Sequence, residues 1–494
     1  MPRPGPWRHA RRGDAWPSVR TYSASKGCPG WSAHADPRAP LVTVATSADV
    51  GVNHLGAGTA VGVFVFVVVI VCVFGGVHYY LWRRLVRDVS ARGSRYRRVG
   101  TGLAVLLPVL AVAAQLVGRS GLPFTVQRII AWPGYLWFAV LVYLLLTLLA
   151  LEPLRPLARR LLRRRDGARS GEAQEAVPAV APERVTVPEG AGRDGGEHPP
   201  ATPPAPASAA TPDPAPPPAP PSRRLFVARA AAATAGVVAA GTVGYGTYSV
   251  LGIGPRLKRV TVPLAKLPRG AHGYRIAVVS DIHLGPILGR AHTQRIVDVI
   301  NRVNADAVAI VGDLVDGSVA DLGADAEPLA GLRSRDGAYF VTGNHEYYTG
   351  HREWVEYVRE LGVRPLENER LELPAFDLAG VNDVAGEDYG DGPDFAAALK
   401  DRDPKRASVL LAHQPVLIHE AVEHGVDLQL SGHTHGGQMW PGTYLAALAN
   451  PTLAGLDRYK DTQLYVTRGA GTWGPPVRVG AEPDITVVEL AASA

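Results

Sequence analysis

The chain has 494 residues, of which 47% are hydrophobic, and a formal net charge of +6. The charge is uneven, because residues 1–169 contain 23 of the 51 Lys and Arg residues but only 6 of the 45 Asp and Glu residues. The only cysteines, Cys28 and Cys72, exclude a disulfide framework in the C-terminal half. The basic residues flank apolar segments and do not alternate with aromatic residues, so we expect a membrane partner and no nucleic acid.

Residues 1–55 have no hydrophobic periodicity, and we interpret them as disordered or as a mis-annotated N-terminal extension. Residues 56–165 predict a membrane region with about three helices, since about 20 apolar residues cross a ~30 Å hydrocarbon core. The second of these segments is short for a membrane span. The predicted spans are Thr59–Trp82, Thr101–Val117 and Ala131–Leu151.

Arginine clusters follow the first and the third span, with seven arginines between residues 83 and 98 and six between residues 155 and 165. The positive-inside rule places both clusters in the cytoplasm and the N-terminus outside. Residues 166–222 are rich in Pro and Ala and predict an extended linker.

A weakly hydrophobic segment, residues 223–252, begins with Arg223-Arg224. It fits either a twin-arginine export signal, although an internal one, or a fourth membrane helix. In both cases the arginines stay inside and residues 256–494 emerge outside. We therefore predict a multi-pass protein of the cell membrane with its C-terminal domain on the extracytoplasmic side.

In the C-terminal half, candidate metal ligands follow short apolar runs that predict buried strands. Asp281 and His283 come directly after Val278-Val279. On an extended backbone, positions i and i+2 point the same way, so this pair would face one divalent cation. Four further strand ends deliver Asp, Asn or His beside Gly, Ala or Pro: Gly312-Asp313-x-x-Asp316, Gly343-Asn344-His345-Glu346, Ala412-His413 and Gly432-His433-x-His435.

Together these motifs resemble the calcineurin-like metallophosphoesterases. The Gly436-Gly437-Gln438, Thr467-Arg468-Gly469 and Glu482-Pro483-Asp484-Ile485 segments are similar to those of the membrane-associated bacterial branch. The resemblance covers residues 256–494. It implies an α/β fold, a β-sandwich flanked by helices with metal ligands on loops at the strand ends. Here this domain is preceded by an N-terminal α-helical transmembrane region.

The resemblance also implies two divalent metal ions, for which Mn, Fe and Zn are candidates. By resemblance, Asp281, His283 and His435 bind the first ion. Asn344, His413 and His433 bind the second, and Asp313 bridges them. His345 is the implied catalytic residue, which contacts the phosphate and protonates or steadies the leaving oxygen. Three residues are expected to support the site: Glu346 to orient His345, Asp316 to orient a loop or a ligand histidine, and Arg468 on the substrate side.

These residues predict a membrane-anchored phosphoesterase that hydrolyses a phosphate ester or pyrophosphate. A site tethered beside a bilayer suits a cell-envelope lipid or a nucleotide-sugar-lipid, and a phosphorylated small molecule is the other substrate class. A twin-arginine signal would add the export machinery as a partner. Two alternatives are a non-catalytic membrane protein with a ligand-binding metal domain and a general phosphomonoesterase. The predicted acid at His345 argues against the first, since a binding module does not need it.

Overall fold

The computed structural model describes residues 57–158, 160–161, 164 and 223–493. The predictions for residues 1–55 and for the linker at 166–222 lie outside the described residues. The chain divides after Val69, and the contacts described below lie within the compact unit that starts at Ile70.

Four long apolar helices precede the C-terminal domain, α1 (Ala57–Trp82), α2 (Arg95–Leu116), α3 (Phe124–Leu151) and α4 (Arg223–Tyr248). Each contains a stretch that is long and apolar enough to cross a membrane by length and composition. Helix α2 has 22 residues, or about 33 Å, because it starts before the predicted span at Ser94, whose side chain caps the Arg97 N–H. The second segment is therefore not too short to span.

Small residues bring these helices close together. A Cβ atom on Gly134 of α3 would lie 2.6 Å from the Cβ of Ala114 on α2, so only glycine permits this approach. Ala235 and Ala239 of α4 are fully buried against α3. Close packing of small side chains is the usual way in which helices associate in lipid.

The C-terminal domain is a sandwich of two six-stranded sheets, as predicted. One sheet has the order β1-β12-β2-β3-β4-β5 and the other has the order β10-β11-β9-β8-β7-β6. The strands are β1 (Arg256–Leu264), β2 (Tyr274–Val279), β3 (Ala307–Val311), β4 (Ala338–Val341), β5 (Arg364–Pro365), β6 (Glu369–Glu372), β7 (Asp377–Gly380), β8 (Ser408–Leu411), β9 (Leu428–Ser431), β10 (Gly455–Tyr459), β11 (Thr462–Val466) and β12 (Asp484–Ala492).

Helices cover the outer faces of both sheets: α5 (Arg290–Arg302), α6 (Val319–Ala326), α7 (Asn344–Thr349), α8 (His351–Glu360), α9 (Phe395–Ala398) and α10 (Ile418–Glu423). A further helix, α11 (Gly442–Ala449), has no buried residue. Residues alternate along the strands, so that Val278 faces the core between the sheets and Val279 faces the core under the helices. Strands β2, β3 and β4 are parallel neighbours, and so are β8 and β9. Their C-terminal ends are the five predicted strand ends, and they meet at one place.

Candidate metal centre

The loops at these strand ends hold the predicted ligands in a left-handed backbone conformation. Five of the seven have positive φ angles: Asp281 (51°), His283 (49°), Asp313 (53°), His433 (71°) and His435 (51°). Such angles cost energy in residues other than glycine and cluster at functional sites. The prediction that Asp281 and His283 lie on an extended strand is therefore wrong. Strand β2 ends at Val279, and a tight turn rather than strand alternation brings the two side chains together.

Glycine is required beside these ligands because the loops almost touch. Gly312 has a φ of 75°, and a Cβ atom there would lie 2.6 Å from His413 Nδ1 and 2.8 Å from Gly343 Cα. No larger residue fits between strand ends β3, β4 and β8 at this position.

Two groups of predicted ligand atoms result, beside a third candidate group of His283, Asp316 and His345. In the first, His435 Nε2 lies 3.0 Å from His283 Nε2 and 3.3 Å from Asp281 Oδ1. In the second, His413 Nε2 lies 3.1 Å from Asp313 Oδ2. His433 Nδ1 lies 3.1 Å from Asn344 Oδ1 and belongs to this second group.

Asp313 lies between the groups. Its Oδ2 atom is 3.1 Å from His413 Nε2 and 3.8 Å from His283 Nε2. A carboxylate in this position can bind two cations at once, as two-metal sites separated by about 3.5–4 Å require. The structure thus brings the predicted ligands together, and their assignment to two separate ions stays a prediction.

The ligand atoms are arranged to bind cations rather than to form hydrogen bonds with one another. His413 Nδ1 donates to the Val311 carbonyl oxygen at 2.8 Å, which leaves Nε2 as the ring atom that can bind a cation. That buried Nε2 has no hydrogen-bond partner and faces the lone pairs of Asp313. Burial would lower the pKa of His413, but the charge of Asp313 outweighs burial and raises it. A positive charge is therefore favoured between these two side chains, and a divalent cation would supply it.

The two histidines of the Gly432-His433-x-His435 motif, in contrast to His413, are neutral. Burial lowers the pKa of His433 to about 4, and burial followed by the charge of Arg478 lowers that of His435 well below its ordinary value. Neutral imidazole is the form that binds a metal ion. These two groups contain imidazole, carboxylate and amide donors, and this donor set suits Mn, Fe or Zn.

Comparison with known proteins agrees with this geometry. Residues 274–437 match the family described as calcineurin-like phosphoesterase. An uncharacterized metallophosphoesterase of Aquifex aeolicus is 35% identical over 240 residues, which are 48% of this chain and 91% of that protein. This chain belongs to the calcineurin-like metallophosphoesterase family. The predicted family is confirmed.

Relatives of this phosphoesterase occur in animals and bacteria. A Danio rerio protein named "Transmembrane protein with metallophosphoesterase domain" is 40% identical over 250 residues, 48% of this chain and 57% of that protein. An uncharacterized metallophosphoesterase of Helicobacter pylori J99 is 38% identical over 239 residues, 48% of this chain and 64% of that protein. The chain thus spans less than two thirds of these two relatives. The shared part is the phosphoesterase domain, and the family depends on two metal ions.

The phosphoesterase holds His345 at the edge of the metal centre. The His345 Nδ1 atom lies 2.7 Å from Asp316 Oδ1, and Nε2 lies 4.0 Å from Asp313 Oδ2. Burial lowers the pKa of His345, but the charges of Asp316 and Asp313 outweigh burial and raise this pKa to about 9. The ring therefore carries a proton near neutral pH, as a general acid must.

Asp316 orients two histidines at once. The same Oδ1 atom that faces His345 also accepts a hydrogen bond from His283 Nδ1 at 2.8 Å. Burial would raise the pKa of Asp316, but the charges of His283 and His345 outweigh burial and lower it. Asp316 thus fixes His283 and His345 relative to each other, a broader task than the predicted orientation of a loop or a ligand histidine.

Glu346 acts on the backbone instead of on His345. Its buried carboxylate accepts hydrogen bonds from the N–H groups of Gly343, Asp313 and Leu314 at 2.7–3.0 Å. The carboxylate that contacts the His345 imidazole is that of Asp316. Glu346 therefore joins the loop that carries Asp313 to the start of α7.

Two arginines lie beside the loop that carries His435. Arg468, predicted on the substrate side, pairs with Glu482 at 3.5 Å, and its place on the substrate side stays a prediction. Arg478, which the motif reading missed, is 1% exposed. Its guanidinium lies 2.9 Å from His435 Nδ1 and donates to the carbonyl oxygens of His435 and Gly471. An arginine between two valines after Pro475-Pro476 is a signal of burial that could have found it.

We expect Arg478→Met to weaken metal binding at the first group by roughly 10–100-fold, the range for losing a partner that orients a ligand. The second group should keep its metal, because Arg478 contacts only His435 among the predicted ligands. Metal titration monitored by calorimetry would measure both affinities. Arg406→Met is the control, since Arg406 also donates to a backbone carbonyl oxygen, of Leu373, but its other partner is Asp377 instead of a predicted ligand. Equal weakening of both groups, with unchanged thermal stability, would contradict this role.

Proposed function

We propose that this protein is a membrane-anchored, two-metal phosphoesterase that hydrolyses a phosphate ester or pyrophosphate of a cell-envelope lipid or nucleotide-sugar-lipid. The observation that carries the proposal is the direct packing of the catalytic domain on the apolar helices. The Tyr143 hydroxyl of α3 donates to the Trp440 carbonyl oxygen at 3.0 Å. Val477 of the catalytic domain is buried in the same apolar cluster as α3 and α4. A catalytic domain that packs directly on membrane helices is in a position to act on a substrate that resides in the bilayer.

The predicted ligands have distinct tasks in this proposal. Asp281, His283 and His435 would hold one cation, Asn344, His413 and His433 would hold the other, and Asp313 would be shared by both. Two bound divalent cations would neutralise charge on the phosphate and activate water for attack at phosphorus. His345 donates its proton to the leaving oxygen, and Asp316 keeps the ring directed at that oxygen.

Hydrolysis by the purified full chain tests the proposal. In the presence of Mn²⁺ the chain should release nitrophenol from nitrophenyl phosphate, bis(nitrophenyl) phosphate, or both. A chelator should abolish this release, and added Mn²⁺, Fe²⁺ or Zn²⁺ should restore it. The preferred ester would decide between monoesterase and diesterase. Two bound metal equivalents without hydrolysis of any phosphate ester or pyrophosphate would favour the non-catalytic alternative.

The proposal places the catalytic domain on the extracytoplasmic side. The arginine-rich segments share one end of the helix bundle, where Arg84 pairs with Glu152 at 2.9 Å and Arg229 donates to the Val89 carbonyl oxygen. The metal centre lies near the other end, beside residues 114–118 of α2. The positive-inside rule then puts the arginines in the cytoplasm.

Protease added to intact spheroplasts should remove a tag placed after Ala494 and spare a tag in the linker near Gly195. The reverse pattern would mean a cytoplasmic active site. The same experiment in a host without the twin-arginine machinery tests the export proposal for Arg223-Arg224. An unchanged pattern there would identify α4 as an ordinary membrane helix.

A further inference from the structure

A cavity of about 420 Å³ opens beside the metal centre, within the size range of small-molecule sites. Three residues of the catalytic centre, His283, Asp316 and His345, line its inner side. The opposite side is built by the apolar helices, from residues 114–118 at the end of α2 and Tyr135 of α3. The site that faces the metals is thus completed by a part of the chain outside the phosphoesterase domain.

The helical wall is fixed in place. The Tyr135 hydroxyl donates to the Ala114 carbonyl oxygen at 3.0 Å, which ties α3 to α2. The Tyr135 ring also packs against Gly474 of the catalytic domain, where a Cβ atom would be 3.7 Å from the ring. Trp473, the preceding residue, lies at the mouth of the cavity with its ring 6.1 Å from that of His345.

Among the described residues, the helical wall carries no charged side chain and is mostly apolar. Ala114, Leu116, Val117 and Tyr135 form it together with the polar Gln115, and Ile287 on the loop after His283 also lines the cavity. Leu116 is 62% exposed, so its side chain is available to a ligand. A free nucleotide or sugar phosphate has no hydrocarbon chain to bury against this wall, whereas a hydrocarbon chain gains about 0.8 kcal/mol for each buried CH₂ group.

Part of the cavity lining belongs to a helix that is long and apolar enough to cross a membrane. Tyr135 is inside the apolar stretch of α3, which continues to Leu151. Next to α3, the segment that follows Trp440 exposes large apolar side chains on α11, including Leu445 (72%) and Leu448 (86%). Exposed apolar surface of this kind marks contact with a membrane or a partner. Its continuity with the membrane helices through the Tyr143–Trp440 bond favours the membrane.

We infer that the ends of α2 and α3 form a lipid subsite of the active centre. The subsite binds the hydrocarbon chain of a phosphate-bearing lipid, whose phosphate reaches His345 and the metal centre from the bilayer. This inference rests on the proposed function and adds a binding site made by the membrane helices. Leu116, Val117 and Tyr135 on the helices and Ile287 on the facing loop determine the preference for long chains.

Photolabelling of the full chain in lipid nanodiscs with Mn²⁺ tests the subsite without requiring turnover. The probe is dodecyl phosphate that carries a diazirine near the end of its chain, and mass spectrometry locates the adducts. We expect adducts within residues 114–118 and 286–288, with at least a fivefold reduction by millimolar inorganic phosphate. Dodecanol with the same diazirine should not label these residues above the rest of the lipid-facing surface.

Two variants test whether the labelling depends on the side chains of the subsite. Leu116→Gln should lower the labelling at least fivefold, because it replaces an apolar contact with a polar amide in the subsite. Ile129→Gln is the matched control, since Ile129 is equally exposed (68%) near the start of α3 but does not line the cavity. Labelling spread evenly along α2 and α3, or insensitive to phosphate, would overturn the subsite.

Hydrolysis measured on the same preparations separates the two proposals. Labelling at the subsite without hydrolysis of any phosphate ester would reject the proposed function and keep the lipid site. Hydrolysis with labelling outside the subsite would keep the proposed function and reject the lipid site. If both proposals hold, Leu116→Gln should lower kcat/KM for a dodecyl ester relative to a methyl ester of the same phosphate by about tenfold.

Discussion

Asp313→Asn should lose nearly all activity and lower the occupancy of both metal ions. Asp313 is the one predicted ligand that reaches both groups, with Oδ2 at 3.1 Å from His413 and 3.8 Å from His283. Burial would raise the pKa of Asp313, but the charge of His413 outweighs burial and holds it well below its ordinary value, so the carboxylate is ionised. Asparagine keeps the shape and removes the charge. The loss should exceed the roughly 10–100-fold typical of residues that only orient a ligand.

Metal content by mass spectrometry and hydrolysis of nitrophenyl phosphate measure the effect on the purified full chain. Asp298→Asn is the control, because Asp298 is an exposed carboxylate on α5 whose partner is Gln294. Its metal content and rate should match those of the unmodified chain. Two full metal equivalents in an inactive Asp313→Asn variant would show that Asp313 acts in another way than by bridging.

His345→Ala should behave differently, with both metals retained and the rate lowered by roughly 10²–10⁴. His345 contacts Asp316 through Nδ1, and its Nε2 faces the metal centre without belonging to either ligand group. Asp316 and Asp313 keep the ring protonated near neutral pH, since they raise its pKa above the ordinary value against the effect of burial. An ester with a good leaving group, such as nitrophenol, needs little protonation and should be affected least.

Comparison of esters across a range of leaving-group pKa values measures this dependence. His419→Ala is the control, because His419 is exposed and its ring contacts Tyr459 instead of the metal centre. Asp316→Asn should reproduce part of the His345→Ala effect and add little to it in the double variant, since both changes remove the same oriented acid. An equal loss on good and poor leaving groups would leave His345 a role in phosphate binding only.

Much of the fold was readable from local patterns. Apolar runs of four to six residues predicted strands such as Ala307–Val311 and Ala338–Val341, and the structure has both with the same bounds. The helix ends were less readable: α3 begins at Phe124 instead of Ala131, because Pro123 initiates it and membrane helices extend beyond their most apolar part.

The sequence by itself identified the candidate ligands and the order in which strand ends present them, because a buried strand followed by Asp, Asn or His beside glycine is a local signal. It also determined the family, since all five motifs occur in order. It did not show the backbone at these turns. Asp281 and His283 converge through left-handed φ angles, which are imposed by loops pressed together at Gly312 and its neighbours.

The tertiary structure alone decided which distant groups complete the site. Asp316 joins two histidines from different loops, Arg478 supports His435, and Tyr143 meets Trp440 across 297 positions in the chain. Such contacts follow from how sheets and helices pack, and no periodicity or short motif encodes them. The apolar wall beside the metal centre is the clearest case, because residues 114–118 read only as the end of a membrane span until folding places them opposite His345.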